Sequence, residues 1–162
     1  MSFASTKIPP SSMTYVFVTG AGPTSEEMDC PEADAESRDV DLLVTALTTL
    51  EEVFKPYTPQ TTVLVHGGGR GVDKLAAEQA ERSGWAGVFP LPSRSDRLGD
   101  AGHSERNRLL VRMALVLTAG PSGHTVHWHA FPAHTSRRAW DCVQQARDAA
   151  FHVVVHPLEA TQ

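Results

Sequence analysis

His66-Gly67-Gly68-Gly69-Arg70-Gly71-Val72-Asp73-Lys74 carries the strongest chemical signal in the chain. Glycines between a buried strand and a helix let the backbone turn tightly and present its N–H groups. The helix N-terminus behind them adds partial positive charge, so the turn suits a phosphate. It lacks the Gly-Lys-Ser/Thr ending of a Walker A loop, and Val72 breaks a Gly-x-Gly-x-x-Gly pattern. A purely structural turn, with Asp73 capping the helix, is the competing reading. A second element is Gly102-His103-Ser104-Glu105-Arg106-Asn107-Arg108. Arginine grips phosphate or carboxylate with two prongs, and Asn both donates and accepts hydrogen bonds. Glu105 beside Arg106 sets a carboxylate next to a cation, a pair suited to general acid–base chemistry on a substrate with an anionic leaving group. The competing reading is a solvated helix start with Glu105 set against the dipole.

Two further groups have weaker signatures. His124, His127, His129 and His134 fall within eleven residues, and in an extended segment His127 and His129 share a face. His124, His127 and His129 are the candidate metal ligands. No cysteine is nearby, and no carboxylate lies between Glu105 and Asp141, so surface histidines rather than a metal centre are expected. Thr135 and Ser136 precede the last expected helix, where Thr135 would cap it. Arg137 and Arg138 then sit in its first turn, the unfavourable end for a cation, which hints at an anionic partner.

These groups need elements to position them. Tyr15–Val18 reads as a buried strand ending at Thr19-Gly20. Residues 21–38 read as a long polar loop. Leu43, Leu47, Leu50 and Phe54 mark one buried face of a helix over 39–54. Thr62–His66 is a second strand, and residues 72–83 a helix stopped by Gly84. Residues 86–89 form a third strand and 105–113 a helix. Ala114–Thr118 reads as a fourth strand, 122–134 as a His-rich loop, 135–149 as a helix and 151–155 as a fifth strand. Alternating strands and helices imply parallel pairing with right-handed crossovers. The expected fold is α/β: a Rossmann-like three-layer sandwich around a mostly parallel five-stranded sheet. Ligands in such sheets bind beyond the carboxyl ends of the strands.

The 162 residues suit one domain, expected over 14–157 between tails at 1–13 and 158–162. Lys and Arg number 14 against 19 Asp and Glu, a net charge of −5. That argues against general nucleic-acid binding or a polybasic membrane contact. The acidity is concentrated: residues 21–41 hold eight acids against Arg38 alone. Cys30 and Cys142 make neither a zinc knuckle nor a disulfide framework. No signal-peptide core or membrane span is visible, so a cytoplasmic protein is expected.

The segments together resemble the SLOG superfamily, the Rossmann-like group that holds LOG-type nucleotide hydrolases and the DNA-processing protein DprA. The pattern is most similar to the compact YspA-like (YAcAr-type) branch. The matching residues are Thr19-Gly20, His66 to Asp73, Arg106-Asn107 and His134-Thr135. The resemblance spans about residues 14–157. It implies a nucleotide or nucleotide-derived ligand held by Thr19, Gly20, His66–Gly71, Asp73, Arg106, Asn107, Thr135 and Ser136. It implies a homodimer; no cofactor is expected. Ala21-Gly22-Pro23 stands where the family has an Arg. The Pro-Gly-Gly-x-Gly-Thr-x-x-Glu motif of the LOG enzymes has only an echo at Pro121–Thr125, with no Glu following. A binding or sensor module is therefore the leading expectation. A nucleotide N-glycosidase using Glu105, and an interaction module using the acidic loop, are the alternatives.

Overall fold

In the computed structural model, the described residues are 12–22, 32–94, 98–121 and 123–158. The order is β1 (Thr14–Gly20), α1 (Glu32–Phe54), β2 (Thr62–His66), α2 (Val72–Arg82), β3 (Gly87–Pro90), α3 (Asp100–Ala119), β4 (Thr125–Phe131), α4 (Arg137–Asp148) and β5 (Val153–Val155). A short 3-10 turn, Pro59–Thr61, leads into β2. All five strands are parallel, in the order β3-β2-β1-β4-β5. This is the doubly wound arrangement the alternation predicts. It is parallel throughout, not merely in most pairs.

Alternate residues of each strand feed two separate cores, as the two-residue pleat requires. Val16, Val18, Leu64 and Phe131 pack with Ala46, Leu50 and Phe54 of α1 and with Val72, Ala76 and Ala80 of α2. Phe17, Val65, Trp128 and Ala130 pack on the other face with Leu110, Val111 and Ala114 of α3 and with Cys142, Val143 and Ala146 of α4. Phe17 and Trp128 stack at 4.7 Å between ring centres, joining β1 to β4. The α1 face expected from Leu43, Leu47, Leu50 and Phe54 is the one that turns inward. Leu50 and Phe54 are buried there, and Leu43 and Leu47 half-buried.

Four expectations are corrected. Ala114–Thr118 is not a strand: α3 runs unbroken to Ala119, and Leu115 and Val116 face outward. The fourth strand is instead the His-rich segment expected to be a loop. Thr125–Phe131 alternates, with Val126, Trp128 and Ala130 against the α3–α4 core and His127 and His129 on the opposite face. The polar loop expected over 21–38 is shorter, because α1 already begins at Glu32; residues 23–31 lie outside the described residues. Leu158, placed in a tail by the sequence, is buried and bridges to Ala133. No helix among the described residues is long and apolar enough to cross a membrane.

Candidate functional site

A cleft of about 630 Å³ opens at the carboxyl edge of the sheet. Gly20 closes β1 beside it, Gly67, Gly68, Gly69 and Arg70 follow β2, and Pro92 and Ser93 follow β3. His103 and Arg106 reach it from the start of α3, and Arg138 from the start of α4. Every one of these segments follows the carboxyl end of a strand, where a doubly wound sheet collects its ligand. Three arginines and a single carboxyl, Asp73, line the cleft among the described residues.

The glycine turn is built around its own side chains. Gly68 takes φ +73°, a left-handed conformation that costs a side-chain-bearing residue about 1–2 kcal/mol. Its N–H donates to His66 Nδ1 at 3.0 Å, and the Gly69 N–H donates to Asp73 Oδ2 at 3.0 Å. Asp73 therefore does not cap α2 from outside. It stands in the first turn of the helix, behind Gly71 at the N-cap position, and ties the loop down. Two of the amides expected to cradle a phosphate are already engaged by this chain's own groups. Burial pushes the Asp73 carboxyl above the ordinary carboxylate range, against the pull of Gly69 N–H, His66 and Arg106. Burial likewise holds His66 below its ordinary value, opposed by the Asp73 charge.

Arg106 lies on this turn. Its Nη1 donates to the Gly67 carbonyl at 3.0 Å, and a Cβ at Gly67 would stand 2.8 Å from that nitrogen. Gly67 is thus the residue that lets the guanidinium approach the backbone. Arg106 Nε and Nη2 both donate to Asn107 Oδ1. Asn107 is 0% exposed, and its Nδ2 donates to the Arg138 carbonyl and to Asp141 Oδ2. Asp141 also accepts from Gln145 Nε2 at 2.9 Å. Asn107 does not border the cleft; it locks α3 to α4 and aims Arg106. Asp141, which the sequence reading passed over, anchors that lock. Only its spacing of four residues from Gln145 on one helix could have marked it.

Other expected site residues sit elsewhere. Thr19 is buried and hydrogen-bonds the Cys142 thiol, whose pKa burial pushes up to about 12. Ser136, not Thr135, occupies the N-cap position of α4, with no capping bond; its Oγ accepts from Ala133 N–H, and Thr135 is exposed. Gly71 is buried under the first loop, and His66 backs the turn without lining the cleft. Glu105 is half-buried and does not line the cleft either, so the carboxylate expected for hydrolysis is not where a ligand would lie. Of the Pro121–Thr125 echo, Gly123 and His124 lead into β4, which Thr125 opens, and so lie at the amino edge of the sheet, away from the glycine turn; Ser122 lies outside the described residues. An apolar annex of about 160 Å³ adjoins the cleft, sharing Gly22 and Arg70 and walled by Leu42, Leu43, Val72 and Leu158.

The histidines are dispersed by function. His124 Nδ1 accepts from Met13 N–H at the foot of β1. His127 Nδ1 and His129 Nε2 both meet Tyr57 Oη, at 3.0 and 2.8 Å, and His129 Nδ1 meets His156 Nε2 at 3.1 Å. His134 is exposed beyond the end of β4. Among the described residues no three His, Cys, Asp or Glu side chains are arranged to hold a metal ion. Comparison with protein-family models, with curated proteins and with solved structures finds no match to this chain.

Proposed function

We propose that the protein binds a nucleotide or nucleotide-derived, phosphate-bearing small molecule in the arginine-lined cleft, as a sensor or regulatory module. The observation that carries this is the convergence of Arg70, Arg106 and Arg138 on one cleft in a chain whose net charge is −5. Clustering cations against the overall charge is the arrangement an anionic ligand calls for. Guanidinium groups fit phosphate oxygens in pairs. With two turn amides engaged internally, the arginines supply the phosphate contacts, and the turn serves to hold Arg106. The annex adds an apolar slot of the size that admits one aromatic ring, as a cavity of about 150 Å³ admits benzene. Phosphate recognition beside a slot for a flat ring is the chemistry of a nucleotide. The resemblance to the SLOG pattern points the same way.

Isothermal titration with a panel of nucleoside mono- and diphosphates and ADP-ribose tests the reading. At least one member should bind, and inorganic phosphate should compete with it. Uniform absence of binding contradicts the proposal.

A further inference from the structure

On the sheet face opposite α3 and α4, four polar side chains meet in a line. Tyr57, from the connection between α1 and β2, places its Oη 3.0 Å from His127 Nδ1 and 2.8 Å from His129 Nε2. His129 Nδ1 lies in turn 3.1 Å from His156 Nε2. His156 opens a strap, residues 156–158, that follows β5. Its N–H donates to the Ala130 carbonyl and its ring stacks on Phe131. Two residues on, the Leu158 N–H donates to the Pro132 carbonyl, and the Leu158 side chain walls the apolar annex. The other groups around the line leave it undisturbed. Trp85 packs its ring against Tyr57, and His152, on the same face of β5 by alternation, is exposed. Glu51, Glu52 and Lys55, at and just beyond the end of α1, are exposed, and the last two pair with each other.

Each of the three contacts needs one hydrogen, and the phenol and every neutral imidazole own one. The hydrogens can point along the line in either direction, but in one direction at a time. A protonated His127 donates from Nδ1 to the Tyr57 oxygen. Tyr57 then turns its own hydrogen to His129 Nε2, and His129 donates from Nδ1 to His156 Nε2. In that direction His156 Nε2 is an acceptor with no room for a proton. A protonated His156 demands the reverse. We propose that His127 guards the strap through Tyr57: a proton taken up at His127 sets the direction of the line, keeps His156 neutral and holds the strap against the annex. The order of uptake supports this. His127 is exposed, so water solvates its charge, whereas burial lowers the pKa of His156. Burial, with His156 and His127 adding to it, lowers His129 to about 4, so His129 stays neutral in mild acid. Burial raises Tyr57 above its ordinary value, so the phenol keeps its hydrogen. The device does not depend on what the cleft binds.

The test is nuclear magnetic resonance of the histidine rings across a pH titration, in the unmodified protein and in Tyr57→Phe. In the unmodified protein, where His127 is charged and His129 is not, nitrogen shifts should place the His129 hydrogen on Nδ1. A hydrogen on Nε2 there overturns the proposal, whatever the variant does. Tyr57→Phe keeps the ring and all the charges and removes the linking oxygen. The pKa of His156, which Tyr57 does not touch, should then rise by about one unit, a tenfold gain in proton affinity. The Leu158 amide should also exchange faster with solvent in mild acid. An unchanged His156 overturns the proposal, because charge repulsion through space would then account for the titration. A raised His156 with Leu158 as protected as before overturns it too.

Discussion

Arg106 and Arg108 stand two residues apart on α3 and meet opposite surroundings. A separation of two residues turns a helix by roughly 200°, so one side chain faces the cleft and the other faces water. Arg106 holds Gly67 and lines the cleft, while Arg108 is exposed. Charge-assisted bonds to a phosphate are worth roughly 1.5–3 kcal/mol each. Arg106→Ala should therefore weaken an anionic nucleotide about 10- to 100-fold, and Arg108→Ala by less than about threefold. Equal losses in the two variants would reveal a general charge effect and displace the site from Arg106. Asn107 tests a different property. Its amide is fully buried and paired on both sides, so Asn107→Ala should lower the free energy of unfolding by about 1–3 kcal/mol in urea titration. A change below about 0.5 kcal/mol would show that the α3–α4 lock carries no weight. From sequence, Arg106 is expected at a helix start after a polar loop; α3 begins earlier, at Asp100, so Arg106 lies in its second turn, where it lines the cleft. The work of Asn107 and Asp73 was not legible, because which atoms face inward depends on helices that meet only in the folded chain.

At the scale of elements, the misread segment is the most instructive. Ala-Leu-Val-Leu-Thr at 114–118 has a strand's composition, yet it forms the last turns of α3. A short apolar run cannot be assigned by periodicity alone, and the preceding helix simply continues through it. The true fourth strand hid behind histidines that suggested a loop. Its two-residue alternation was visible at Val126, Trp128 and Ala130, but its other face carries His127 and His129, which pair with Tyr57 instead of filling an aliphatic core. The helical assignment makes a sharp prediction. Val116 is 73% exposed, so Val116→Asp should cost less than about 1 kcal/mol. Ala114 is fully buried against the second core, so Ala114→Asp should cost more than about 3 kcal/mol by burying an unpaired charge. Denaturation midpoints of the two variants check this. A large loss from Val116→Asp would restore the strand.

For the molecule as a whole, the alternation of elements was enough to read the doubly wound class, because parallel pairing and crossover handedness leave few alternatives. Strand order was not readable, since no local feature says that β1 sits between β2 and β4. His129, on β4 beside β5, contributes to the protein's response to acid. Burial, with His156 and His127 adding to it, lowers His129 from its ordinary value of 6.5 to about 4. The unfolded chain then takes up a proton near pH 6.5 that the folded protein refuses until about pH 4. Unfolding binds protons throughout that window, so stability falls as pH drops through it and is level above it. Between pH 7 and pH 5 the loss from His129 should be on the order of 1–2 kcal/mol, allowing for its partial solvation. Asp73 acts in the opposite sense, its raised carboxyl taking a proton first in the folded state, so the comparison is made against His129→Gln, in which Asp73 is unchanged. Urea midpoints at the two pH values should differ less in that variant. An undiminished difference would place the acid sensitivity elsewhere.

The central claim, that the carboxyl edge around the glycine turn receives a phosphate-bearing nucleotide, has a direct test in the amide spectrum of isotope-labelled protein titrated with adenosine 5′-monophosphate. The account predicts saturable shifts at Gly67–Asp73, at His103–Arg106 and at the start of α4 around Arg138. Val153–Val155 and the foot of β4 at Thr125 should stay unmoved. Shifts confined to the Tyr57–His127–His129–His156 face, or none at saturating nucleotide, would contradict it.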